Sequence, residues 1–127
     1  MTGAASRVTV LADDLIWSTR LVRALADAGA TPVHVRTPAA LAAALDDGCR
    51  FVVVDLTARA YDGIAAVGAA ASHGARVLAV GQHDDLDLRR RARAAGAERV
   101  LAYRKLFEDG PASLAAWLSR EPAAARS

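Results

Sequence analysis

Three carboxylates stand where two apolar runs end. Asp13 and Asp14 follow Val8-Thr9-Val10-Leu11-Ala12, and Asp55 follows Phe51-Val52-Val53-Val54. Carboxylates gathered at one point repel unless a cation or protons lie among them. A hard divalent cation takes oxygen ligands of this kind, and Mg²⁺ is the simplest candidate. The plain alternative is that Asp13 and Asp14 only cap a helix. The metal reading therefore depends on Asp55 arriving beside them.

Both apolar runs are short, β-branched and nearly free of charge, as buried strands are. Gly29, Gly48, Gly74 and Gly96 each close an Ala-rich segment and precede an apolar one, the usual place of glycine just past a helix end. The pattern predicts strands over about 7–12, 31–36, 50–55, 76–81 and 98–103. It predicts helices over about 15–28, 38–47, 63–73, 84–95 and 112–120. Thr37-Pro38 reads as an N-cap followed by Pro at the first helical position. Asp62 and the pair Asp84-Asp85 precede two further helices, and Asp109-Gly110-Pro111 reads as a turn that opens the last one.

Strict βα alternation implies a parallel sheet with helices on both faces, joined by right-handed crossovers. The fold class expected is α/β, a doubly wound five-stranded parallel sheet of flavodoxin-like type. Strand order 2-1-3-4-5 places the first and third strands side by side, and ligands in such sheets bind beyond the carboxyl ends of the strands. Asp13, Asp14 and Asp55 would then share one pocket. Residues 1–120 form one expected domain and 121–127 a frayed tail.

Composition narrows the classes. The chain has 127 residues, 54% of them hydrophobic and 24% charged, which fits a globular protein. A net charge of +2 gives no general case for nucleic acid. No apolar run reaches the roughly 18 residues of a membrane span. The first residues lack the charged start and apolar core of a signal peptide. The one cysteine, Cys49, reads as a small buried hydrophobe. These features together predict a cytoplasmic location without membrane or nucleic-acid partners. At this length no fused DNA-binding or enzymatic output domain is expected on the chain.

The whole chain resembles a response-regulator receiver domain of the chemotaxis type. Asp13-Asp14 fall on that family's metal-binding acidic pair and Asp55 on its phosphorylated aspartate. Asp62-Gly63 match the Asp-Gly that opens its third helix, and Gly96-Ala97 the Gly-Ala before its fifth strand. The resemblance implies a weak Mg²⁺ site on Asp13, Asp14 and Asp55, with the backbone carbonyl of Thr57 as a further ligand. Two positions depart from the family. Gly81 stands where a Thr or Ser hydroxyl follows the phosphoryl group. Tyr103 stands where a Lys neutralises it, and a tyrosine supplies no such charge at neutral pH. Lys105, the sole lysine, would face the pocket if the strand continued past Tyr103, since residues two apart share a side. Arg104 is the other candidate cation. The plain reading of both is a solvated charge.

Other residues receive a sharp and a plain reading. His83, after the fourth strand, is a candidate metal ligand or proton shuttle, though a lone loop histidine is more often a solvated polar group. His34 and His73 read as surface residues. In Arg89-Arg90-Arg91-Ala92-Arg93, core spacing falls on Leu88, Ala92 and Ala95, which leaves Arg89 and Arg93 on the outer face. That face reads first as solvated and second as a docking surface. Receivers use the surface of the fourth helix, fifth strand and fifth helix for contacts, which makes Arg89, Arg93 and Tyr103 interface candidates. Trp117 reads as core. Trp17 reads as partly buried or as a docking residue.

The function expected is a stand-alone, non-enzymatic receiver-like signalling module that works through protein contacts, its acidic pocket kept and its switch residues replaced. A histidine kinase, an output protein or a second copy of the chain are the partners implied. One alternative is a single-domain response regulator phosphorylated at Asp55 with Mg²⁺. A second is a small flavodoxin-like ligand binder or enzyme. No Gly-rich phosphate loop follows the first strand, and no Ser or Cys nucleophile with a His sits at a strand end.

Overall fold

The computed structural model describes residues 6–82 and 85–119. His83, Asp84 and the tail 121–127 lie outside the described residues. Elements run β1 (Arg7–Leu11), α1 (Leu15–Asp27), β2 (Thr31–Val35), α2 (Pro38–Asp46), β3 (Phe51–Asp55), α3 (Gly63–Ser72), β4 (Arg76–Gly81), α4 (Leu86–Ala95), β5 (Arg99–Ala102) and α5 (Tyr103–Ser119). The strands form one parallel sheet in the order β2-β1-β3-β4-β5. β1 and β3 are neighbours, with Leu11 opposite Val54. The carboxyl ends that carry the aspartates are therefore adjacent.

The two-residue period of the strands divides the core into two layers. Leu11, Val52 and Val54 face one side, with Leu41, Leu45, Val67, Ala70 and Ala92 from α2, α3 and α4. Val8, Val10, Val53, Leu78, Val80 and Leu101 face the other, with Leu21 and Leu25 of α1 and Leu114 and Trp117 of α5. Asp55 lies two beyond Val53 and Tyr103 two beyond Leu101, and Tyr103 belongs to the α1/α5 layer.

Polar side chains start the helices. Asp14 accepts from Trp17 N at 3.0 Å, Thr37 from Ala40 N at 3.1 Å, Asp62 from Ala65 N at 3.1 Å and Asp85 from Leu88 N at 3.0 Å. Each such cap stabilises its helix by about 1 kcal/mol. Gly96 ends α4 with φ +124°, and a Cβ there would stand 2.5 Å from Ala71 Cβ. Both conformation and space require glycine at that position.

The main departure from the expected elements lies at the end of the sheet. β5 stops at Ala102, and α5 begins at Tyr103 rather than near 112. The turn expected at Asp109-Gly110-Pro111 survives as a break inside α5, where Asp109 adopts φ −154°, ψ 44°. Residues 103–108 include Arg, Lys, Leu and Glu, which all favour helix. Trp117 is core, as expected, and its indole N–H reaches Glu98 Oε1 at 2.9 Å, which also receives Arg76 Nε at 2.9 Å. Cys49 is only half-buried. Its thiol lies 3.1 Å from Phe51 O and 3.0 Å from Thr9 Oγ1.

Candidate functional site: a buried aspartate beneath a tyrosine

Asp55, the last residue of β3, is fully buried, with 0% of its surface exposed. Its Oδ1 is crowded with donors. Thr57 gives its backbone N–H at 2.9 Å and its hydroxyl at 2.8 Å. The third donor is the Tyr103 hydroxyl, in a short hydrogen bond. Thr57 Oγ1 lies 3.3 Å from the same phenol oxygen, which closes a three-residue polar cluster. Asp55 Oδ2 is buried with no hydrogen-bond partner. All the donors on this carboxylate are uncharged groups.

Tyr103 is itself only 5% exposed. Its ring stacks on Trp17, with centroids 3.7 Å apart and planes at 29°. The two aromatics close the site from the α1/α5 side, and the phenol fills the space beside Asp55. Burial, and then the hydrogen bond to Asp55, push the Tyr103 pKa well above its ordinary value, so the hydroxyl keeps its proton. A second tyrosine braces the site from below. Tyr61 Oη lies 2.9 Å from both Leu11 O and Asp55 O, one O–H shared between the ends of β1 and β3. Burial and the nearby Asp55 and Asp13 raise its pKa as well.

The other two acids turn elsewhere. Asp13 Oδ2 accepts from the backbone N–H of Arg59 at 3.2 Å and of Ala60 at 3.1 Å. Asp14 is exposed and caps α1. Asp13, Asp14, Trp17, Thr57 and Arg59 line an open trough of about 330 Å³, and Asp55 is not on its wall. Among the described residues, no group of three His, Cys, Asp or Glu is placed to hold a metal ion. The Asp13–Asp14–Asp55 convergence expected from the sequence is therefore not formed. Asp55 Oδ2 is buried and without a hydrogen-bond partner, while Asp13 and Asp14 line the open trough beside it. With the Tyr103 hydroxyl on Asp55, the described residues gather no three-carboxylate site for Mg²⁺.

The two candidate cations are also placed differently. The strand ends before them, so the two-residue rule that aimed Lys105 at the pocket does not apply. Lys105 Nζ pairs with Asp109 at 3.2 Å and Arg104 Nε with Glu108 at 3.5 Å, each one turn along α5. Among the described residues no ion pair reaches Asp55. Gly81 ends β4 and is buried. A Cβ there would meet Leu56 at 3.6 Å and Leu88 at 3.9 Å, ordinary contact distances.

Some surface expectations change too. Tyr103 is an interface candidate by sequence but faces inward onto Asp55. Arg89 is half-buried and donates to Val100 O at 3.1 Å. His34 is half-buried, with Nε2 2.8 Å from Ala12 O. His73 is exposed and lies 3.6 Å from Asp46. The sequence reading assigned no role to Tyr61. Its signal was an aromatic one residue before the Asp62 cap, where the loop after β3 must fold back over the sheet end.

No family model and no curated protein matches the chain. Solved structures do. The signal receiver domain of the putative response regulator NarL from Mycobacterium tuberculosis is 24% identical, with TM-score 0.76, over 93% of this chain and 100% of that one. The chemotaxis response regulator CheY4 of Vibrio cholerae is 21% identical, with TM-score 0.69, over 92% and 98%. A response regulator from Burkholderia pseudomallei, solved with a phosphorylated aspartic acid, calcium ion and citrate, is 18% identical, with TM-score 0.65, over 90% and 73%. The chain has the flavodoxin-like fold of a response-regulator receiver domain. Among the described residues no helix is long and apolar enough to cross a membrane.

Proposed function

We propose that this chain is a receiver-fold signalling module that works through protein contacts without phosphorylation at Asp55. The observation that carries the reading is the Tyr103 hydroxyl on Asp55 Oδ1, with Asp55 itself fully buried. A carboxylate that accepts a phosphoryl group must be reached by its donor, and the added charge of roughly −2 must be neutralised. Here Tyr103 and Trp17 stack over the approach, and among the described residues no ion pair reaches Asp55. Tyr103 supplies one neutral donor in place of a cationic one, and Gly81 supplies no hydroxyl. The site is held in one state by hydrogen bonds and stacking. Its partner is an output protein, a histidine kinase that docks without transferring phosphate, or a second copy of the chain.

One observation favours a second reading. Asp55 Oδ2 is buried and unpartnered, which costs about 1–3 kcal/mol for a polar group. A site kept at that cost fits a phosphorylatable regulator in which Tyr103 swings out and Mg²⁺ enters. Acetyl phosphate with Mg²⁺, read on phosphate-affinity gels, separates the two. The first reading predicts no modification of wild type and Asp55-dependent modification once Gly81→Thr and Tyr103→Lys are combined. Full modification of wild type under mild conditions supports the second and overturns the first.

A further inference from the structure

On one side of the sheet two neighbouring helices face each other with small side chains. α2 turns Leu41, Ala42 and Leu45 toward α3, and α3 turns Ala65, Ala66 and Ala69 back. The spacing within each set is three or four residues at most, so each is one stripe of its helix. Leu41 and Leu45 are buried at the floor, and Ala42, Ala65 and Ala69 are exposed above them. Alanines close such a gap only where helices approach very closely. Here they leave an open cleft of about 360 Å³. It runs along α2 from Pro38 to Leu45, a length of about 10 Å. Tyr61 forms part of its wall. That residue is 9% exposed, and its hydroxyl is held by Leu11 O and Asp55 O, each at 2.9 Å, so the wall is fixed before anything binds.

The charge left open at this cleft is negative. The chain carries 16 Lys and Arg residues, yet none of them lines it. Asp62 follows Tyr61 at the start of α3. Its Oδ1 caps that helix, and it pairs with no cation among the described residues. His73 stands at the far end of α3, and its ring is already answered by Asp46 at 3.6 Å and by Ala69 O at 3.0 Å.

We propose that this cleft binds a small molecule with an apolar body and a protonated amine, its carbons against Leu41, Leu45 and Tyr61 and its ammonium on Asp62. The volume falls at the low end of the roughly 300–1,000 Å³ of small-molecule sites, which suits one such molecule. Carbons that replace water along these apolar walls bury surface and gain contacts. Asp62 sets the sign of the polar end. Its carboxylate is exposed, so the ion pair adds little and the walls supply most of the affinity. The cleft is separate from the Asp55 carboxylate, and it binds whether or not Asp55 accepts phosphate.

Phenylbutylamine is the probe, with neutral phenylbutanol and anionic phenylbutyrate as comparisons. Amide NMR of the nitrogen-labelled full chain reads the titration at neutral pH. Saturable shifts are expected at Ala42, Ala65, Ala66 and Ala69, with a Kd on the order of 1 mM for so small a molecule. Ala69→Leu fills the cleft from an exposed position and should weaken binding at least about tenfold. Ala42→Leu gives the same test should that variant unfold. Asp62→Asn keeps a capping side chain. It should weaken the amine about two- to fivefold and leave phenylbutanol unchanged. Ala43→Leu, exposed on α2 outside the cleft, should change nothing. Absence of saturable shifts overturns the proposal, as do shifts that survive Ala69→Leu and Ala42→Leu, or an equal loss in Ala43→Leu. Phenylbutanol or phenylbutyrate binding as tightly as the amine overturns the assignment to a cation. Shifts at the same alanines on raising protein concentration alone would place a second copy of the chain in the cleft and overturn the small-molecule assignment.

Discussion

Replacing Tyr103 with Phe removes one oxygen from the centre of the site and little else. The Phe ring keeps the stack on Trp17 and the burial within the α1/α5 layer. What is lost is the hydroxyl on Asp55 Oδ1, whose Oδ2 already has no partner. A hydrogen bond to a charged group contributes about 1.5–3 kcal/mol. Thr57 still supplies two donors to the same oxygen, so the lower half of that range applies, about 2 kcal/mol. For a chain of this size that lowers the melting midpoint by roughly 6–12 °C. Urea unfolding monitored by circular dichroism gives the free energy, and a thermal scan gives the midpoint. A double-mutant cycle with Asp55→Ala isolates the pair, with a coupling of at least about 1 kcal/mol expected. A Tyr103→Phe variant within about 0.5 kcal/mol of wild type, with no coupling to Asp55, would show that the hydroxyl contributes nothing to the site.

Two further outcomes follow from the same packing. The pKa values of Tyr103 and Tyr61 are raised, so the folded state holds phenolic protons that the unfolded chain releases near its ordinary value of about 10. Their stabilisation is complete below about pH 10 and drains as pH rises further. Thermal midpoints should fall above about pH 10, and less steeply in Tyr103→Phe with Tyr61→Phe; an equal fall in the variant would contradict this. Gly96→Ala combines a positive φ with a Cβ contact of 2.5 Å to Ala71 and should cost about 2–4 kcal/mol. Urea unfolding checks it, and a cost under about 1 kcal/mol would show that α3 and α4 move apart freely.

Much of this architecture was legible because it rests on local rules. Val8, Val10, Val52 and Val54 marked the strands by type, Thr37 marked a helix start as an N-cap, and Asp62 and the Asp84-Asp85 pair marked two more as acids at the positive helix end. The βα alternation gave a parallel sheet, and the doubly wound order 2-1-3-4-5 placed Asp55 beside the end of β1. The site was harder to read because its geometry is set by loops and hydrogen bonds rather than by periodicity. Asp13 is drawn to the amides of Arg59 and Ala60 by the loop after β3, which carries no periodic signal. Tyr103 was read by its missing charge, while its role comes from a donated proton. The same residue ends the sheet and begins α5, and that change of element carries Lys105 and Arg104 onto ion pairs of their own. Arg89 was assigned to solvent by helical spacing, but a long side chain can fold back to a strand carbonyl.

The central claim is that the Tyr103 hydroxyl occupies Asp55 in solution. Proton NMR of the wild-type chain tests it directly, by the search for a downfield, exchange-protected hydroxyl resonance. One such resonance is expected, lost in Tyr103→Phe and in Asp55→Ala, and kept in Asp14→Asn. Its absence from wild type, or its survival in Tyr103→Phe, would show that the Tyr103 hydroxyl does not occupy Asp55.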